Sequence, residues 1–265
     1  MAQTDRFRWR ADVDSRHLAA TWTLFLAVLA GAWIVTVRLA VRMGVGPGIM
    51  GMTVIAFVAV WTAMMVAMML PSVIPVAAAW SIYRERSPSQ LLCVMRSGSF
   101  TLGFFLVWAV FGFLGYVAFA AAGNAVSEHP ESGRWIGSAI YLFAGLYHLS
   151  PPVRRCVRHC RNPLDHAFCV HAVDRSRLRS AQAGSRHGGH CVVCCLGLMS
   201  IMIPLGMMNL FLLVALTVLI FGELFLTKGV ALHNIVGVAL IAFSFLAFFG
   251  GVLLPGVSPI SGGMQ

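Results

Sequence analysis

The chain has 265 residues, 59% of them hydrophobic and only 11% charged, with a mean hydropathy of +0.83. A soluble domain of this length needs more charge to cover its surface, so the composition argues against an ordinary globular enzyme or binding module. The net charge of +10 rests on 18 arginines and one lysine lying between apolar runs, with no separate basic domain, so it reads as membrane topology and nucleic-acid binding is set aside.

Residues 1–17 are polar and carry both signs of charge. The apolar run that follows is too long for a cleaved signal, and no small-residue cleavage site comes after it. It is expected to be a retained first span, residues 18–41. A Gly/Pro turn follows at 44–48. The second apolar run, 50–80, holds Pro71 and Pro75, which predict a kink or break near Leu70. After a polar connection at 84–96 comes a third span, 97–122, dotted with Gly103, Gly112 and Gly115, small residues that let helices approach. A short fourth span, 135–149, ends at Ser150-Pro151-Pro152.

A long basic segment then leads to apolar stretches at 191–226 and 229–254. The first is 36 residues, about 54 Å as one helix, against a hydrocarbon core of about 30 Å. Pro204-Leu-Gly206 is a place where it could divide. The expected fold class is therefore all-α: a polytopic integral membrane helical bundle of six spans, the fifth long and kinked or tilted, with seven as the alternative. Backbone groups in lipid must be satisfied within their own segment, which favours helices. The domain reading is one membrane domain over 1–265, with an N-terminal segment at 1–17 and a basic loop at 150–189 carrying Cys and His. Counting basic residues puts both of these on the cytoplasmic side of a bacterial inner membrane, with Arg38, Arg42, Arg134 and Lys228 outside. The loop arginines would meet anionic lipid headgroups.

Seven cysteines occur, six of them between Cys156 and Cys195. Cys156 and Cys160 are one helical turn apart; Cys191, Cys194 and Cys195 are spaced i, i+3 and i+4. Thiolates at such spacing bind soft or borderline ions, Cu(I) first and Zn(II) as the alternative. If the fourth and fifth spans are neighbours, four thiolates meet at one membrane face, and His187, His190 or His148 could replace one of them. Cytosolic thiols stay reduced, which suits ligation better than disulfides. Buried cysteine is also an ordinary small apolar residue, and Cys93 and Cys169 stand apart as unliganded. Met64, Met68, Met69, Met199 and Met202 offer thioethers along a transfer path for Cu(I), although methionine is more often core filler. Glu223, alone among apolar residues, is either an ion or proton site or an interfacial residue bonded beside Lys228. His233, which opens the last span, is placed at the face opposite the cysteines. Asn209 is read as an interhelical hydrogen-bond donor.

Four groups of residues carry a family resemblance. They are Trp61-x-x-Met64-x-x-Ala67-Met68-Met69-x-Pro71-Ser72, Cys156-x-x-x-Cys160-Arg161-x-Pro163, Gly184-x-x-x-Gly188-x-x-Cys191-x-x-Cys194-Cys195-x-x-Leu198-Met199 and Gly206-Met207-x-Asn209-Leu210. Together they resemble a bacterial family of predicted metal-binding integral membrane proteins. The resemblance implies metal binding at Cys156, Cys160, Cys191, Cys194 and Cys195. Leu196 stands where the family usually has Trp, and Glu223-Leu224 where it usually has Glu-Lys, which puts an ion-pair role for Glu223 in doubt. The function expected is copper handling, by transport or by delivery to a partner metalloprotein. The alternatives are a membrane oxidoreductase and a zinc-stapled subunit of a membrane complex; an enzyme is the less favoured class.

Overall fold

The computed structural model describes residues 15–44, 46, 48–82, 90–160, 177–226, 229–250 and 257. These form nine helices and no strand: α1 Ser15–Met43, α2 Val54–Ile82, α3 Gln90–Glu128, α4 Ser132–His148, α5 Pro151–Cys160, α6 Arg177–Ser200, α7 Met202–Leu205, α8 Leu210–Phe225 and α9 Gly229–Gly250. Stretches Trp22–Met43, Val54–Ile74, Val94–Glu128 and Ala231–Phe249 are long and apolar enough to cross a membrane; Leu210–Glu223 is a shorter apolar helix. Large apolar side chains stand bare on their outer faces, among them Ile55, Phe211 and Phe249, each at least 80% exposed. In water such a surface would be a liability; against lipid it is the expected contact.

Two expectations about where helices break need amending first. α2 runs through Pro71 and Pro75 as one assigned helix, without the break expected near Leu70. Of the segment 150–189, read as a loop, the ends are helical: α5 and the first half of α6. Readings that fall on residues 1–14, Cys169 and Lys228 lie outside the described residues, as do the side chains of Cys93 and Cys160.

Small residues set the closest helix contacts. A methyl group built on Gly184 of α6 would run into the Phe100 carbonyl of α3, and one on Gly103 into that of Ala181. Backbone-to-backbone approach of this kind is how helices gain contact in lipid, where no hydrophobic force draws them together. The variant Gly184→Leu is expected to lower stability by about 1–3 kcal/mol or more, read as a lower melting temperature of the detergent-purified protein. An unchanged melting temperature would mean that α3 and α6 are not so closely seated.

The segment 191–226 is not one span. α6 ends at Ser200, a short turn of helix holds Pro204, and Gly206 follows at φ +86°, a backbone region that suits glycine. Asn209 then caps α8, its side-chain oxygen accepting from the Leu212 N–H at 3.2 Å. That is a capping role within its own segment, in place of the interhelical one expected for it. Asn209→Ala should cost about 1 kcal/mol, again visible in the melting temperature.

The direction of travel matters more. Tyr147 of α4 donates to the Val193 carbonyl at 2.9 Å, and Gly197 abuts the Ala144 carbonyl, so α6 runs antiparallel to α4. After the break, α8 brings Glu223 back to His148 at the end of α4. The chain therefore leaves one end of α4 and returns to it. The irregular backbone at 206–209 is tolerated in an apolar bundle because protein covers it: Gly206, Met207 and Met208 are buried.

Candidate metal-ligating junction

Two groups of chemically active side chains meet where α4, α5, α6, α8 and α9 converge. The first is made of sulfur. α5 crosses α6 so that Cys156 and Cys194 form a disulfide, their Cα atoms 5.8 Å apart, and the Cys156 Sγ lies 3.2 Å from the His190 carbonyl oxygen. One turn away on α6, Cys191 and Cys195 hold free thiols, hydrogen-bonded to each other; both are buried. The i, i+3 and i+4 spacing puts all three α6 cysteines on the side facing this junction. Four sulfurs thus come from two short segments separated by the basic stretch, in a pairing the sequence reading did not specify. A reduced thiol set was expected, and Cys156 and Cys194 are joined instead.

The other histidines of the expected ligand set sit apart. His187 is buried against the rings of Phe100 and Phe104, at centroid distances of 5.9 and 5.7 Å. His190 has an exposed side chain whose Nδ1 lies 2.8 Å from the Arg186 carbonyl oxygen, one turn back. Met64, Met68, Met69, Met199 and Met202 are all buried in the common core. Met64 lies one turn past Trp61, which abuts Gly112 of α3, and Gly188 of α6 abuts Phe104 and Val107 of the same helix. The methionines of α2 and the cysteines of α6 therefore flank neighbouring turns of α3.

The second group was not foreseen. His148 closes α4, Glu223 lies in the last turn of α8, and His233 lies in the second turn of α9. His148 Nε2 is 3.0 Å from Glu223 Oε1, and His233 Nδ1 is 3.3 Å from Glu223 Oε2. The two imidazoles lie against each other, centroids 3.9 Å apart and planes tilted by 36°. Exposures are 0% for His148, 4% for Glu223 and 2% for His233. Glycines make the meeting possible. Gly145, one turn before His148, lies against Ile241 and the Gly237 carbonyl, and Gly237, one turn after His233, lies against Leu149. α4 and α9 thereby come close enough for the rings to touch.

This corrects the placement of His233 at the face opposite the cysteines. The error followed from reading 191–226 as a crossing; once α8 returns, the turn after it falls at the cysteine end. Two sequence signals pointed the right way. Glu223 is the only carboxylate after Asp174, and His233 follows it by ten residues across a short break between helices. The two groups adjoin: Cys195 is within electrostatic range of Glu223. Among the described residues, His148, Glu223 and His233 make up the one set of three ligand atoms within 4.8 Å of one another.

A family model described as PpoB2, copper chaperone, matches residues 58–247. No curated protein and no solved structure matches the chain.

Proposed function

The chain belongs to the PpoB2 copper chaperone family, and on that premise we propose that it holds Cu(I) in a membrane-embedded bundle and hands it to a partner metalloprotein. The observation that carries this reading is the gathering of four buried sulfurs, from Cys156, Cys191, Cys194 and Cys195, at one helix junction. Thiolates are the ligands that favour Cu(I). A low-molecular-weight thiol, itself oxidised to its disulfide, would supply the two electrons and two protons that convert the Cys156–Cys194 bond into two thiols, so the proposed site is complete only in reduced protein. Cys160, at the end of α5, is the further thiol the family resemblance adds. The buried methionines beside α3 supply weaker soft ligands along which the ion can pass. Zinc remains the competing ion, because thiolates take it as well.

The bilayer is the medium this reading requires, and the orientation follows from charge. Arg38 and Arg42 at the end of α1 and Arg134 at the start of α4 are the basic residues described at one end of the bundle. Arg154, Arg155, Arg177, Arg179 and Arg186 lie at the other, with the cysteines. The richer end faces the cytoplasm by the positive-inside rule, where thiols stay reduced and Cu(I) is the form available.

The test is a Cu(I) competition titration on protein purified with a phosphine reductant present, followed by mixing with an apo copper enzyme. Binding of Cu(I) by the reduced form, with activation of the acceptor, supports delivery. Zinc retained against Cu(I), or no activation by loaded protein, would remove it.

A further inference from the structure

The geometry points to a second ion site, formed by His148, Glu223 and His233, for a divalent cation of borderline softness such as Cu2+ or Zn2+. It is separate from the sulfur site and rests on none of the sulfur chemistry.

Four observations bear on it. The three side chains come from three helices, with 75 residues separating His148 from Glu223, yet their ligand atoms fall within 4.8 Å of one another. All three are buried, so these donors are held away from water. In tetrahedral coordination, ligands at about 2.1 Å from an ion lie roughly 3.4 Å apart. The nitrogen–oxygen separations of 3.0 and 3.3 Å are close to that spacing, so an ion could enter with small movements of the side chains. Finally, the group is not self-sufficient as a hydrogen-bonded clamp. Each neutral imidazole can direct an N–H at the carboxylate only by leaving its other nitrogen as a bare acceptor. His148 Nδ1 and His233 Nε2 are both buried with no hydrogen-bond partner. A buried, incompletely satisfied nitrogen is costly whether or not an ion is bound, so the orphans mark a strained ionisable cluster, which in an apolar bundle is a functional candidate; the facing nitrogens and carboxylate are what would ligate.

The donor set selects the ion. Two imidazoles and a carboxylate suit borderline divalent cations, whereas thiolates suit Cu(I). The carboxylate also supplies negative charge against the ion in a place where an unpaired charge is expensive. Two neighbouring donor sets of different softness would let one junction hold both oxidation states of the same metal.

The experiment uses the full chain in detergent micelles, air-oxidised, with Cu2+ as the probe. Pulsed electron paramagnetic resonance of the bound ion should show two coordinated imidazoles at one equivalent. The amide variants H148Q, E223Q and H233Q keep hydrogen-bonding groups near the native size. Each should weaken Cu2+ binding about tenfold or more, and the two histidine variants should each remove one imidazole coupling. A merely structural clamp would shift the melting temperature of these variants and leave the stoichiometry and the spectrum unchanged; that result overturns the site. Fewer than two imidazoles on the wild-type ion overturns it also, and this reading does not depend on any variant folding. Cu(I) binding under reductant reports the sulfur site independently, so the failure of one assignment leaves the other standing.

Discussion

The double variant Cys191→Ser/Cys194→Ser is expected to bind Cu(I) about a hundredfold more weakly than the wild type, or worse, when both are fully reduced. Loss of a residue that merely orients a ligand typically costs 10–100-fold, and here two proposed ligands go. Cys194 is the sulfur that reaches Cys156 across the α5–α6 contact, and the Cys191 thiol is hydrogen-bonded to that of Cys195. Removing both leaves Cys156 and Cys195 with their partners gone. Serine keeps the size, and its oxygen is a poor donor for a soft ion. The measurement is the same competition titration, with melting temperatures run alongside under reductant so that the native disulfide contributes to neither protein. Equal affinity for the two proteins would place the ion elsewhere.

The largest effect on stability is expected at Glu223. The variant Glu223→Ala should lose about 2–4 kcal/mol, because the carboxylate is the hydrogen-bond partner of one nitrogen on each of two buried imidazoles and its loss leaves both rings without a partner. Hydrogen bonds between membrane helices average less than this; the higher figure rests on two broken contacts at one buried point, at the meeting of α4, α8 and α9. The readout is thermal or denaturant unfolding of the purified protein. A loss below about 0.5 kcal/mol would mean the three groups do not hold one another, since an ordinary hydrogen bond contributes more. The second variant His148→Ala/Glu223→Ala separates the two contacts. If the pair acts as a unit, the double loss is smaller than the sum of the single losses.

How much of this was legible beforehand depends on what sequence encodes locally. Apolar length is local, so α1, α4 and α9 fall close to the runs at 18–41, 135–149 and 229–254. Cysteine spacing is local as well, and it placed Cys191, Cys194 and Cys195 on one side of a helix. Direction is not local. Thirty-six apolar residues suit one tilted crossing as well as an outward helix, a break and a return, and hydropathy is blind to the difference. Pro204, Gly206 and Asn209 held the information as a breaker, a positive-φ position and a cap. What decides between the two paths is the packing of Gly197 on Ala144 and of Gly145 on α9, which are contacts between distant parts of the chain. Misjudging that one segment was enough to put His233 on the wrong side and to hide its contact with Glu223. The disulfide was hidden for the same reason, because it joins residues 38 apart that only the α5–α6 crossing brings together.

The most direct measurement is X-ray absorption at the copper edge on reduced, full-length protein carrying one equivalent of Cu(I). A first coordination shell dominated by sulfur, with at least two sulfur neighbours that disappear in Cys191→Ser/Cys194→Ser, is the predicted result. A shell of nitrogen and oxygen alone would contradict capture of copper by the cysteines of α5 and α6.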